Sequence, residues 1–331
     1  GADTTAAPDT TAAPAEVINL TFSCHNPPGN AVATALEAYA AYIEEESDGM
    51  VEIDVQVGGA LYSNQEIFDG LRTGGADCGS YVPDDGDGFY YNTVMSLPFI
   101  DYDDDEHATE VFWTLYEEFP ELENEYLDLG LVKATCYMMP PFQLHFHAAD
   151  TVVTTPDDLK GMTLITLESY VADWLQMLGA SVEQPAFPDL FPMVETQATD
   201  GICIHYNFLG GLKIAPAYKS HTNLGGGGMV EAQIGAVWNK DSFESLPADI
   251  QQIALDGQAT YLGTVVPGSR LDYDLAMDHA AAEGDLITEL TSEQVEPWRT
   301  ALASVYSDWV AGAPDPALAQ QMLDRLMELT Q

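Results

Sequence analysis

Two histidines one residue apart, His145 and His147 in QLHFHAAD, are the pair in this chain best placed by spacing to do chemistry. On an extended strand, residues i and i+2 share a face, so both imidazoles could reach one zinc ion, with His25, Cys203 or His205 completing a tetrahedron. The blander reading is that His145 donates to a bound solute while His147 faces solvent or a loop. The other reactive residue types form no catalytic pattern. The acid runs DDGD at 84–87 and DYDDDE at 101–106 read as solvated loops, not as paired carboxylates held in separate environments. Neither GxSxG nor HExxH occurs. The glycine run GGGGM at 225–229 is followed by no Lys-Ser/Thr and no helix signal, so it reads as a crossover needing unusual φ values, not as a phosphate cradle. Cys24, Cys78, Cys136 and Cys203 are widely spaced, form no CxxC, and read as buried thiols. Catalysis therefore has no residue set to stand on, and no cofactor is implied.

The elements that must position these residues come from a chain of 331 residues, 46% hydrophobic, long enough for two domains with real cores. Its 54 acidic residues against 9 basic ones give a formal net charge of -45, which repels nucleic acid and anionic lipid. No run of 18 apolar residues offers a membrane span. Residues 1–16, GADTTAAPDTTAAPAE, are small, Pro-punctuated and repetitive, and read as a flexible tether of the kind that follows a lipidated cysteine.

VINLTFSC alternates as a strand, then a Pro-Pro-Gly loop leads to a helix over about 31–46 and a second strand, MVEIDVQV. A Gly-Gly turn at 58–59 enters the helix QEIFDGLRTG, capped by Ser63 or Asn64, and ADCGSY forms a third strand. Short strand–helix–strand connections predict a parallel sheet with ligands at the carboxyl ends of its strands. Further on, LVKATCYMM, two strands flanking the turn TPDDLKG, and TDGICIHYN read as strands. SYVADWLQML at 169–178 is helical, with Tyr170 and Trp174 on one face so that one of them points toward a ligand. A long helix starts at Pro247, and 269–331 is helical apart from GAPDP.

In order, the segments GGALYSNQEIFDGLRTGGADCGSY, SLPFI, TPDDLKGMTLIT, GASVEQPAF, ETQATDG and NKDSFESLPADIQQI resemble the substrate-binding proteins of tripartite ATP-independent periplasmic (TRAP) transporters, over about 17–261. The resemblance implies a two-lobed α/β fold like that of periplasmic binding proteins, each lobe a mostly parallel sheet flanked by helices, with a long helix bracing both. Lobe I is expected at 17–141 plus 229–268 and lobe II at 142–228 plus 269–298, with C-terminal helices at 299–331. The implied function is that of an extracytoplasmic receptor, periplasmic or lipid-anchored at the outer face of the cytoplasmic membrane. It would act as a monomer, close by a hinge over a small-molecule solute, and deliver it to a membrane permease. Lys160-Gly161 then becomes a structural turn into a strand of the second lobe.

Members of that family usually hold a substrate carboxylate with an arginine in the strand after this turn. That position is Ile165 here, and a second family arginine falls at or near His145. The resemblance places His25, Tyr81, Phe142, His145, Ile165 and Ser169 on the cleft. It also places Tyr170, Phe187, Cys203, Ile204, Tyr206 and Asn207 there, with Phe187 matching a phenylalanine that packs on bound ligand. An apolar, aromatic lining without the guanidinium suits a neutral or aromatic solute. A cation over the aromatic floor, favoured by Glu168 or Asp189, comes second and a carboxylate third. The alternative is a zinc receptor using His145 and His147.

Overall fold

The computed structural model describes residues 17–225 and 227–330; the tether expected at 1–16 lies outside them. The first sheet contains β1 (Ile18–Ser23), β2 (Val51–Gln56), β3 (Cys78–Tyr81), β4 (Leu131–Lys133), β5 (Tyr137–Met138) and β11 (Gln233–Asn239). The second contains β6 (Gln143–Phe146), β7 (Thr163–Ile165), β8 (Ser181–Glu183), β9 (Gly201–Ile204), β10 (Ser220–Asn223) and β12 (Leu286–Glu289). Their orders are β2-β1-β3-β11-β4, with β5 also on β11, and β12-β10-β6-β9-β7-β8. Each sheet is parallel where successive strand–helix units wind it, as in β2-β1-β3 and β9-β7-β8, because a helical crossover returns the chain to the same end. Each turns antiparallel where the chain enters from the other sheet, at β11 and β6. The result is two lobes of α/β structure.

β1 shows why the first lobe forms. Its alternation turns Leu20 and Phe22 inward, and the Phe22 ring lies edge-on to Trp238 at 5.0 Å. The helix Ala31–Glu46 starts where Asn30 Oδ1 accepts the Val32 N–H at 3.0 Å, and it buries Leu36, Tyr39, Ala40 and Ile43 against that sheet. In the second lobe, Thr155 and Asp158 form a capping box, and Gly161 takes the left-handed turn, φ 84°, into β7. Lys160 pairs with Asp157 at 2.7 Å on the surface, an exposed contact worth about 0–1 kcal/mol, so its role is that of a turn residue.

The chain crosses between lobes after β5 and after β10, and again along the helix Gln258–Glu283. The second crossing uses the glycine run. Gly225 and Gly228 have φ of 88° and 51°, and a Cβ on Gly227 would stand 2.0 Å from the Ile100 carbonyl oxygen. The long helix differs from expectation, since it is split from Ala248–Asp256 at Gly257. There the Tyr39 hydroxyl donates to the Ala254 carbonyl at 2.8 Å, taking an acceptor that a continuous helix would use, and the Tyr39 ring occupies the space of a Gly257 side chain. The 26-residue segment that remains, about 39 Å long, rests on Ala31–Glu46 of one lobe and on the short helix Tyr206–Gly211 of the other. β12 is a second departure: it is a four-residue strand pairing with β10, inside a stretch that reads as helical because Gly284 and the Thr291 capping box end the helices on either side.

The helices Ala303–Gly312 and Pro316–Leu329 pack on the first lobe, where Arg325 bridges to Glu118 at 2.8 Å. All four cysteines are buried free thiols. Among the described residues, no helix is long and apolar enough to cross a membrane.

Candidate functional site

Between the lobes lie two hollows that share His25, Val82, Leu167, Glu168 and Phe187. The inner one, about 50 Å³, is walled by Tyr137, Phe142, Ile204, Asn207 and Phe208 and is floored by Ser269 and Asp272 of the long helix. The outer one, about 500 Å³, opens past Phe68, Tyr81, Asp84, Asp87 and Ser169. The inner hollow is too small for an organic solute until its walls part, whereas the outer has the size of an ordinary ligand pocket. Between them, Ser169 of the second lobe donates a short hydrogen bond to Asp84 of the first.

Local structure explains which expected residues meet here. His25 lies in the loop after β1, its Nε2 3.3 Å from Asn26 Nδ2 and its ring 6.2 Å from Phe187, the first residue of the helix Phe187–Glu195. Phe142 immediately precedes β6, and Ile204 ends β9. The seam therefore brings together His25, Tyr81, Phe142, Ser169, Phe187, Ile204 and Asn207. Strand alternation sends Cys203 to the opposite face from Ile204, where its Sγ lies 3.8 Å from Met229 Sδ. Ile165 is fully buried in the core of its own lobe and lines neither hollow. Tyr206 hydrogen-bonds Asn223 Oδ1 at 2.8 Å, and Tyr170 lines a separate hollow of about 330 Å³ beside Trp174 and Trp309.

His145 is placed away from the seam. Its Nδ1 lies 2.8 Å from His221 Nδ1 and its Nε2 2.9 Å from the Ile204 carbonyl. His147 stacks on Tyr218 and donates through Nδ1 to the Ala217 carbonyl at 2.8 Å. These contacts occupy both nitrogens of His145 and one of His147, and among the described residues no group of three or more His, Cys, Asp or Glu is arranged to hold a metal.

The electrostatics of the seam are one-sided. Burial lowers His25 and His205 to about 4, so both rings are neutral at pH 7. Burial, and then the nearby charge of Asp84, raise Glu168 to about 7. Burial raises Asp272 to about 6, against the pull of the Ala31 N–H. Asp87, which accepts the Tyr81 hydroxyl, is raised as well, chiefly by burial. Among the described residues, no lysine or arginine lines either hollow.

Several of these residues are not singled out by the sequence reading. Asp84 and Asp87 belong to the run DDGD, read as a solvated loop. Ser269 and Asp272 carry a signal, because Tyr261, Val265, Ser269, Asp272, Ala276 and Ala280 form the buried stripe of the long helix at helical spacing. A polar pair inside such a stripe marks a place where the stripe faces something other than hydrocarbon. Phe208 has no comparable signal, and His205 enters the sequence reading only as a zinc ligand.

The comparisons agree with this geometry. The family model for bacterial extracellular solute-binding protein, family 7 (DctP), matches residues 22–312. A C4-dicarboxylate-binding protein of Bacillus subtilis is 27% identical over 184 residues, which span 50% of this chain and 47% of that protein. An extracytoplasmic solute receptor of Bordetella pertussis binding pyroglutamic acid superposes with a TM-score of 0.80 at 19% identity, over 94% of this chain and 99% of that one. A TRAP solute-binding protein of Rhodoferax ferrireducens, in complex with copurified benzoate, gives 0.82 at 19% identity over 95% and 98%. One of Roseobacter denitrificans with bound β-D-glucuronate gives 0.82 at 16% identity over 95% and 100%. Two lobes, a bracing helix, an interlobe seam and the family match lead to one conclusion: the chain belongs to the DctP family of bacterial extracellular solute-binding proteins, family 7.

Proposed function

We propose that this receptor captures a small neutral or aromatic solute between its lobes and delivers it to a TRAP permease, acting as a monomer that is periplasmic or lipid-anchored at the outer face of the cytoplasmic membrane. The lobes divide at 17–141 plus 229–268 and 142–228 plus 269–298, and bound solute draws them shut by contacting both. The observation that carries the choice of solute is the lining: aromatic rings on both sides of the seam and no lysine or arginine. A carboxylate buried there would lose its hydration without gaining a cation, a cost of several kcal/mol. The acids bound by the structural relatives therefore need not bind here.

A thermal-shift screen tests this, since a ligand of the folded state raises Tm by mass action. Aromatic compounds lacking a carboxylate, such as benzyl alcohol and benzylamine, are expected to stabilise the protein, and benzoate and pyroglutamate are not. Stabilisation by the two acids alone would refute the proposal. Phe187→Ala removes a ring shared by both hollows, and should weaken binding about a hundredfold or more, in line with about 3–5 kcal/mol for losing a buried phenylalanine in a core and about 1.4 kcal/mol per tenfold. Unchanged affinity on calorimetry would place the solute elsewhere.

A further inference from the structure

The charged side chains that line the seam are all acids, and a carboxylate is an acceptor. Four carboxylates face it: Asp84, Asp87, Glu168 and Asp272. Ser169 and Tyr81 donate to the first two and the Ala31 N–H supports the last, but no side chain or backbone N–H among the described residues is bonded to the Glu168 carboxylate. A further acceptor lies deeper. Asn207 is 7% exposed and commits its Nδ2 to Ser269 Oγ, while its Oδ1 reaches no hydrogen-bond partner of good geometry, with His205 nearby. The side-chain donors opposite are uncharged: the neutral imidazoles of His25 and His205 and the amides of Asn26, Asn30, Asn64, Gln65 and Gln184. An anion would meet four acids and no fixed positive charge, and an uncharged solute would leave the carboxylates unbalanced.

We propose that the seam selects organic cations: solutes with an aromatic or apolar body and a protonated nitrogen, whose N–H groups reach Asn207 Oδ1 and the carboxylates of Asp272 and Glu168. The proposal rests on the receptor reading above and assigns the polar end of its solute. Phe142 and Phe187 present ring surface to the same space, which attracts a cation as well as an apolar body. The Ala31 N–H takes one of the roughly four lone-pair sites of the Asp272 carboxylate, so its structural contact at the start of Ala31–Glu46 leaves it free to bind.

The charge arrangement gives binding a pH signature. A cation binds the ionised carboxylates, so it must displace protons from Glu168 and Asp272, which titrate near 7 and 6. Asp87, raised by burial, and Asp84 face the same space, while His25 and His205 stay neutral above about 5 because their values lie near 4. Cation affinity therefore climbs as pH rises from about 5 to 8 and then levels.

Calorimetry on the full chain at pH 5.5 and 7.5 tests this, with benzylamine, benzyl alcohol and benzoate and with larger ammonium, hydroxyl and carboxylate compounds matched in shape. The expected result is that an ammonium compound binds about tenfold more tightly than its hydroxyl match at pH 7.5 and loses about tenfold at pH 5.5. Glu168→Gln should erase most of that preference and flatten the pH profile, as should Asp272→Asn. If the Asp272 variant fails to fold for want of its Ala31 contact, the Glu168 variant decides. Equal, pH-independent binding of ammonium and hydroxyl compounds would overturn the cation assignment and leave the receptor reading intact. Preference for carboxylates would overturn both ligand assignments, and binding of no class would overturn the receptor reading itself.

Discussion

Ile165 shows how a residue can matter through what it does not provide. Counted along the strand after the Lys160-Gly161 turn, it stands where an arginine is usual in the family, yet the structure buries it completely in the second lobe's core. Restoring the arginine should therefore not restore a carboxylate site. Ile165→Arg would drive an unpaired guanidinium into hydrocarbon and cost about 3–5 kcal/mol, read as a fall in the urea midpoint with no gain in benzoate binding. A stable variant that bound benzoate would show that the position reaches the seam. The neutral His25 and His205 make the same point from the other side, because burial denies them the charge that could have replaced the arginine.

At the scale of elements, the binding floor depends on a close approach of two helices. Gly210, in Tyr206–Gly211, lies where an added Cβ would stand 1.8 Å from the Asp272 carbonyl oxygen of the long helix. Gly210→Ala must push apart the elements that carry Asn207 and Asp272. We expect a loss of about 1–3 kcal/mol in stability together with weakened solute binding. Stability and affinity both within error of the wild type would mean that the two helices are not in register as described. The crossover at Gly225–Gly228 is a related case, in which backbone geometry holds the lobes in register without any side chain.

The whole molecule carries 54 acidic and 9 basic residues, and most of the described bases are already paired at the surface, as in Arg299 with Asp101 and Arg270 with Glu106. The folded state therefore repels itself, and the repulsion is screened within a Debye length of about 10 Å at 0.1 M salt. Tm is expected to rise by several degrees between about 0.02 and 0.5 M sodium chloride, whereas the same salt should weaken binding of benzylamine and leave benzyl alcohol unaffected. A Tm that fell with salt would show that ion pairs outweigh repulsion.

What the sequence determined by itself was the class of fold and of function. Alternation in VINLTFSC, the capped turn TPDDLKG, the glycine crossover and the ordered motifs are local signals, and each depends on backbone preferences spanning a few residues. The helical spacing of Ser269 and Asp272 with Tyr261, Val265, Ala276 and Ala280 also lies in the sequence, but only the structure shows that this stripe is buried. Other features were decided only in three dimensions. Tyr39 breaks the long helix at Gly257 from a helix more than two hundred residues earlier. β12 is a strand because β10 lies beside it. His145 turns to His221 and not to the seam, Asp84 is partly buried where Ser169 of the second lobe donates to it, and Asp87 is partly buried where it accepts the Tyr81 hydroxyl. In each case the competing local states differ little in energy, so a contact distant in sequence supplies the deciding term. The charge of the seam is of this kind, since burial set the protonation of its acids and imidazoles and burial exists only once the two lobes meet.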